Sequence, residues 1–184
     1  LRQDPDVLMV GEIRDGETAG IAFQAALTGH LILSTIHTVD PAAAVIRLLD
    51  LGVEPPLIAE TLAAVMDQRL IRTVCPVCSS GGSHATSGMP GTITAPVEIQ
   101  CPECRGTGYS GRTGLFRFLS CTPQLRRAIR ENNHQAIRER VDATCGDDLL
   151  RQGRDLVRRG RTTEAELRRV LGSADPGDSE DGSR

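Results

Sequence analysis

Two Cys-x-x-Cys pairs, Cys75-Pro-Val-Cys78 and Cys101-Pro-Glu-Cys104, enclose 22 residues. No other feature restricts the fold of this chain so strongly. Each pair forms a knuckle that can place two thiolates on one tetrahedral ion, and four thiolates select Zn²⁺. Such a site is closed, so it holds structure and leaves no coordination position open for catalysis. Residues 79–96, between the pairs, are rich in Gly, Ser, Thr, Pro and Ala and read as a loop. A segment so poor in core residues would draw its folding energy from the metal. The alternatives are a redox pair or free thiols, but a thioredoxin-type motif needs only one Cys-x-x-Cys, at the start of a helix. Cysteines concentrated in this way favour metal in a reducing compartment over a secreted disulfide framework. Cys121 and Cys145 stand alone and read as small buried hydrophobes.

Composition sharpens the limits. At 184 residues the chain can hold one ordinary domain or one domain with a small appendage. Aromatics are 2% and Trp is absent, so the core must be aliphatic. All 21 basic residues are Arg. Without Lys the chain cannot contain a complete Walker A motif, whose Lys binds the β- and γ-phosphates, nor run Schiff-base chemistry. Residues 1–104 carry a net charge of −7, residues 105–171 a net +7 and residues 172–184 a net −3. The basic stretch suits either an anionic partner or a solvated helical surface laced with ion pairs, and the second reading is the more economical. No apolar run approaches the ~20 residues that span a bilayer, and no signal peptide opens the chain. A first residue of Leu rather than Met suggests the C-terminal part of something longer.

The pattern along the chain is α/β. Residues 6–11, an apolar run between Pro5 and Gly11, predict a fully buried strand. A helix over 15–28 follows, started by Asp15 or Gly16, with Ile21, Ala22, Ala25 and Ala26 as its apolar face. Residues 31–36 predict a second buried strand. Asp40-Pro41 is a good N-cap and N1 pair for a helix over 40–51, and a further helix is expected over 56–67. Arg69–Val74 and residues 114–119 read as strands, and helices are expected over 123–132, 134–144, 148–159 and 163–171. Thr163 and Glu166 have the spacing of a capping box. Residues 173–184 are Gly, Ser and acid, the composition of a disordered tail. Two or three parallel strands are too few for a doubly wound sheet, so the remaining strands are expected upstream.

Glu12 stands at the C-terminal end of the first strand, where ligands bind in open α/β sheets. A carboxylate there can reach Mg²⁺ through water or orient an attacking water. The run is Walker B-like except that Gly11 replaces the usual Asp, and the bland alternative for such an acid is a helix cap. His37 lies just past the next strand, and if the two strands are close it can share an edge with Glu12 and contact a terminal phosphate. For His30 a purely structural role is favoured.

These pieces together resemble the bacterial secretion and pilus-assembly ATPases of the GspE/PulE/PilB type. The resemblance covers about residues 1–171. It rests on Leu1–Asp15, Ala25–Thr38, Arg47–Pro55, Gln68–Arg72, the four cysteines and Gly106–Gly114. It implies an α/β fold: part of a RecA-like P-loop NTPase core over residues 1–74, a tetracysteine zinc module over 75–112, and a helical extension over 113–172. The tail is 173–184. It further implies ATP hydrolysis with Mg²⁺ in a hexamer, in the cytoplasm, held to the inner membrane through secretion or pilus platform proteins. Glu12 would be the catalytic acid or water-orienting base of an atypical Walker B. His30 and His37 match the family's histidine box, with His37 the better phosphate sensor, and Arg14 and Arg69 match recurrent nucleotide-site positions. The tetracysteine segment is typical of assembly and secretion members rather than retraction motors.

Some family elements are missing from this sequence. Walker A, the acidic box before it, the upstream arginines and the platform-docking N-terminal domain are absent. The chain alone is therefore not expected to hydrolyse ATP efficiently. Arg117 stands where relatives often have an acid, and Gln152 where they often have Asp. A non-catalytic adaptor that keeps the zinc module is the rival reading. A nucleic-acid-binding zinc ribbon is weaker still, because only Tyr109, Phe116 and Phe118 lie near the knuckles to stack on bases, and no nucleic acid is expected as partner. A chaperone-type Cys-x-x-Cys-x-Gly-x-Gly repeat fits Cys101–Gly108 but not the first pair.

Overall fold

The computed structural model describes residues 5–77 and 101–172. Cys78, the expected 79–96 loop and the expected tail lie outside them. The elements are β1 (Val7–Val10), α1 (Gly16–Leu27), β2 (Leu31–Ser34), α2 (Pro41–Asp50), α3 (Pro55–Thr61), β3 (Ala64–Val74), β4 (Tyr109–Ser120), α4 (Pro123–Arg130), α5 (His134–Cys145), α6 (Asp148–Arg158) and α7 (Glu164–Leu171). β1 and β2 pair in parallel, and β3 pairs with β4. Contacts divide the chain into two compact units. One holds the residues up to Asp67 together with Arg117–Asp147; the other holds Gln68–Phe116 and the residues from Asp148 onward.

In the first unit, local sequence sets the helix starts. Asp15 caps α1 by accepting from the Thr18 amide at 2.8 Å, and Asp40 caps α2 by accepting from Ala43 at 2.7 Å. Pro41 opens α2, where its missing N–H costs nothing. The register Val7↔Leu31 through Val10↔Ser34 sets the odd-numbered side chains of both strands on one face. That face is open: Val7, Met9, Leu31 and Leu33 are all at least half exposed. The two strands are therefore not fully buried, contrary to the reading of their apolar runs. Val10 and Ile32, from the other face, pack on the core. α1 also turns differently from expectation. Ala19, Ala22 and Phe23 are its buried residues, and Ile21 faces solvent.

α3 ends at Thr61, well before the expected 67, and β3 begins at Ala64 rather than Arg69. The cause is tertiary. Leu62 turns extended, and the Arg126 guanidinium takes up the carbonyls of Ala59, of Glu60 at 3.0 Å and of Leu62 at 3.4 Å. A cation fixed on the last carbonyls satisfies the helix end and its dipole. Cys121 then donates its amide to Ala63 at 3.0 Å. Pairing with β4 outweighs the helical propensity of Leu62-Ala-Ala-Val-Met66. The core of this unit is aliphatic, as the composition requires. Val45, Ile58, Ile129 and Ile137 are fully enclosed, Phe23 is its one aromatic, and Cys121 and Cys145 sit in it as small hydrophobes.

The second unit has a smaller core of Ile71, Leu115, Leu149 and Leu167. Gly153 on α6 lets Leu167 approach, because a β-carbon there would collide with the Leu167 side chain. The main polar tie is Glu166, whose side chain is fully enclosed. It accepts from the Arg169 Nε at 2.7 Å and Nη2 at 2.8 Å. It also accepts from the Arg72 Nη2 at 2.6 Å and backbone amide at 3.0 Å. Thr163 does cap α7 by accepting from Glu166 N at 3.2 Å, but the Glu166 carboxylate is spent on these two arginines. The hydrogen bonds from Arg169 first, then those from Arg72, hold it far below the usual carboxylate range.

Two outcomes test this packing. Gly16 faces the Leu51 carbonyl, and a β-carbon there would strike it. Although Ala is the better helix former, Gly16→Ala should destabilise the first unit by about 1–3 kcal/mol in urea unfolding. A variant as stable as wild type would refute the close approach. Glu166, with its lowered folded pKa, contributes stability that is complete above the ordinary value of 4.5 and is lost as pH falls from there toward the folded value. The stability gap between wild type and Glu166→Gln should therefore be widest near neutrality and shrink steadily below about pH 4.5. A gap independent of pH would show that the carboxylate charge is not what stabilises the unit.

Candidate functional site

The end of the β1–β2 ladder brings Glu12 and His37 together. Past the last paired residues, Ile13 donates its amide to the Thr35 carbonyl at 2.9 Å. The Thr35 hydroxyl donates to the Gly11 carbonyl at 2.7 Å. These two bonds extend the pairing by one step on each side and fix the two strand exits next to each other. The His37 Nε2 then lies 3.3 Å from the Glu12 Oε1. Arg14 reaches back to the other oxygen, with Nε 2.6 Å and Nη2 2.5 Å from Oε2.

Glu12 is mostly shielded, its side chain 19% exposed, whereas His37 is 84% and Arg14 76% exposed. The hydrogen bond from Arg14, and secondarily its charge, lower the Glu12 pKa below the usual carboxylate value. Glu12 is therefore firmly ionised and a weak base. It is not a helix cap, because Asp15 fills that position. The arrangement is a charged carboxylate with one oxygen clamped and the other turned to an open imidazole edge. It can orient a polar molecule better than it can remove a proton.

His30 hydrogen-bonds the Ala25 carbonyl and the Thr28 hydroxyl, each at 3.1 Å. That ties the last turn of α1 to the start of β2. Arg69 lies on β3, in the second unit. Arg117 forms an ion pair with Asp67 at 2.8 Å, with both side chains largely buried. Gln152 donates to the Phe116 carbonyl at 2.5 Å and accepts from the Phe116 amide at 3.1 Å. An Asp at 152 could accept but not donate, so Gln suits this two-way contact.

The cysteine cluster belongs to the second unit. Cys75, Cys101 and Cys104 are buried, and their sulfurs all lie within 4.8 Å of one another. Cys75 and Cys101 are 3.9 Å apart, nearly twice the ~2.05 Å of a disulfide. With Zn–S near 2.3 Å, tetrahedral geometry sets sulfurs ~3.8 Å apart. The donor set thus fits a thiolate-bound zinc ion. Cys78, the expected fourth ligand, lies outside the described residues. Around Cys101 and Cys104 the backbone folds tightly, with Arg105 donating to the Cys101 carbonyl at 2.7 Å and Thr107 to the Cys104 carbonyl at 3.0 Å. Arg105 and Gly106 both have positive φ, which makes this reversal possible. Tyr109, at the edge of the cluster, is already engaged. Its ring carries the Arg72 guanidinium at 4.2 Å and its hydroxyl meets Thr163 Oγ1 at 2.6 Å. Sequence reasoning gave no hint of this contact or of the Arg72–Glu166 pair, which joins residues 94 positions apart.

Among the described residues no helix is long and apolar enough to cross a membrane. The sequence pattern of the "Type II/IV secretion system protein" family matches residues 1–169. Type II secretion system protein HxcR of Pseudomonas aeruginosa is 42% identical over 178 residues, covering 95% of this chain and 35% of its own length. Type II secretion system protein E of Klebsiella pneumoniae is 45% identical over 176 residues, with 92% and 35% covered. Type IV pilus assembly ATPase TfpB of Acinetobacter baylyi is 42% identical over 183 residues, covering 93% and 31%. The chain thus spans about a third of the length of these curated relatives. Among solved structures, the pilus retraction motor PilT with bound ADP superposes with a TM-score of 0.62 at 26% identity, covering 96% of this chain and 42% of its own. The Legionella pneumophila ATPase DotB gives 0.61 at 22%, covering 91% and 38%, a likeness of fold alone. The fold is therefore α/β and of the kind found in these P-loop ATPases, and the chain belongs to the Type II/IV secretion system protein family.

Proposed function

We propose that this chain works within an ATP-hydrolysing motor that drives type II protein secretion or type IV pilus assembly. The observation that carries this reading is the apposition of Glu12 and His37 at the ends of two parallel strands, in a chain of this family. Residues 1–74 would supply part of the RecA-like core, 75–112 a structural zinc module and 113–172 the helical extension. The setting we assign to it, which the family resemblance implies, is a hexamer in the cytoplasm docked on inner-membrane platform proteins.

Glu12 would orient the attacking water through Oε1, since Arg14 occupies Oε2 and keeps the group ionised. Phosphoryl transfer through a loose transition state needs positioning and charge stabilisation more than a strong base, which suits a carboxylate of lowered basicity. The exposed His37 ring would hydrogen-bond the terminal phosphate and, through its contact with Glu12, report its departure. Arg14 serves this site as the clamp on Glu12, and Arg69 is proposed as a nucleotide contact. The site does not build a Mg²⁺ shell by itself. Glu12 offers one open oxygen, and Asp15, the next acid, caps α1. A phosphate cradle would come from elsewhere in a longer polypeptide. In the zinc module, Cys75, Cys78, Cys101 and Cys104 would hold the ion, which fixes the turn rather than taking part in hydrolysis.

In a protein of the relatives' full length carrying this segment, Glu12→Gln should cut ATP turnover at least about a hundredfold while ATP still binds. Turnover near wild type would reject the role of Glu12 and favour a non-catalytic assembly module. Cys101→Ser should lose zinc, measured as metal per chain, and lower the melting temperature of the second unit. Full zinc content with unchanged melting would reject the metal site.

A further inference from the structure

The two stretches that carry the cysteines leave the cluster toward the same small structure, the N-terminal turn of α7. Arg72 lies three residues before Cys75 on β3. Its backbone amide and guanidinium both bind the Glu166 carboxylate, and its carbonyl accepts from the Thr162 hydroxyl at 2.8 Å. Val74 donates to the Arg161 carbonyl at 2.9 Å. Tyr109 begins β4 just after the Cys101–Gly108 turn. Its hydroxyl meets Thr163, and its ring supports Arg72. Cys75 closes the circuit by donating its amide to the Gly108 carbonyl at 2.9 Å. Two ties therefore hold the same pair of strand ends. The thiols join Cys75 to Cys101 and Cys104 on one side, and the Glu166 cluster joins Arg72 to Tyr109 on the other.

Resting on the zinc reading of the cysteines, we infer that Glu166 is a positioning residue for the metal site and that zinc binding and docking of α7 are thermodynamically coupled. Closing either tie fixes the separation and direction of the two strand ends, so the second closes at lower entropic cost. Coupling of this kind is reciprocal and typically changes affinity by about 5–150-fold. Glu166 has no hydrogen bond to Cys75, Cys101 or Cys104; it acts through Arg72, which it binds and whose guanidinium lies over the ring of Tyr109. The metal in turn helps to keep the C-terminal helix in place.

The test uses the whole 184-residue chain and Zn²⁺ alone, titrated against a chromophoric chelator. Glu166→Gln should weaken zinc binding about tenfold. Tyr109→Phe, which removes only the hydroxyl, should weaken it about threefold. The control Glu164→Gln, on the exposed side of the same helix turn, should leave it unchanged. Hydrogen exchange over residues 164–171 of the wild type should quicken when zinc is removed. Wild-type affinity in a folded Glu166→Gln protein, with exchange in α7 indifferent to zinc, would overturn the coupling. If Glu166→Gln does not fold, Tyr109→Phe and the wild-type exchange measurement decide in the same way. A wild type that binds no zinc would instead overturn the metal reading on which the coupling rests.

Discussion

Two hydrogen bonds at the end of a four-residue ladder determine the candidate site. Without the Ile13–Thr35 and Thr35–Gly11 bonds, the chain beyond Val10 and Ser34 would be two independent loops. With them, the loops leave the strands as a paired extension, and Glu12 and His37 emerge side by side. The remainder of the first unit can be understood as the support for that ladder. α1 is capped by Asp15, immediately after the site, so the chain is committed to a helix within three residues of Glu12. α2 is capped by Asp40, three residues after His37. Each of these two side chains therefore sits on a short span between a strand and a capped helix. Such spans have little freedom, and a carboxylate held this way need not be ordered by its ligand.

The same ladder accounts for the exposed apolar face. A parallel pair needs a crossover to connect it, and α1 provides one that covers a single face of the strands. Val7, Met9, Leu31 and Leu33 then share the other face because the register leaves them no alternative. An apolar run in sequence identifies a strand built to be covered on both sides, but it cannot say which residues do the covering.

What could be read from the sequence follows from the range of the interactions. The caps at Asp15 and Asp40, the positions of β1 and β2 and the four C-terminal helices depend on neighbours within a few residues, and all appear close to their expected places. The gathering of Cys75, Cys101 and Cys104 was legible because the spacing of the two pairs suits a shared site. The proximity of Glu12 and His37 was only conditional on strand pairing, which the pattern of residues suggested without fixing. What escaped was non-local. The early end of α3 depends on Arg126, more than sixty positions away, and the strand start at Ala64 depends on β4. Glu166 was legible as part of a helix start and illegible as the partner of Arg72. Nothing local distinguishes an acid in a capping box from one that will be buried between two arginines.

The absence of lysine has a consequence beyond the chemistry it excludes. Much of the basic surface behaves as a solvated helical face with short-range pairs, such as Arg127–Glu131, Arg151–Asp148 and Arg158 and Arg159 with Asp155. Exposed pairs of this kind stabilise little, and Lys would serve in them nearly as well. Four arginines do something Lys cannot. Arg126 spreads one guanidinium over several backbone carbonyls, Arg169 grips Glu166 through two nitrogens, and Arg14 meets one Glu12 oxygen with two. Arg72 binds a carboxylate edge-on while its face lies against Tyr109. Each contact uses a planar, permanently charged fork with several donors, where an ammonium offers a single strongly hydrated point. In the second unit, the contacts of Arg72 and Arg169 join segments that its small core does not reach. They help a unit with four buried aliphatic anchors among the described residues keep its strand ends and α7 in register.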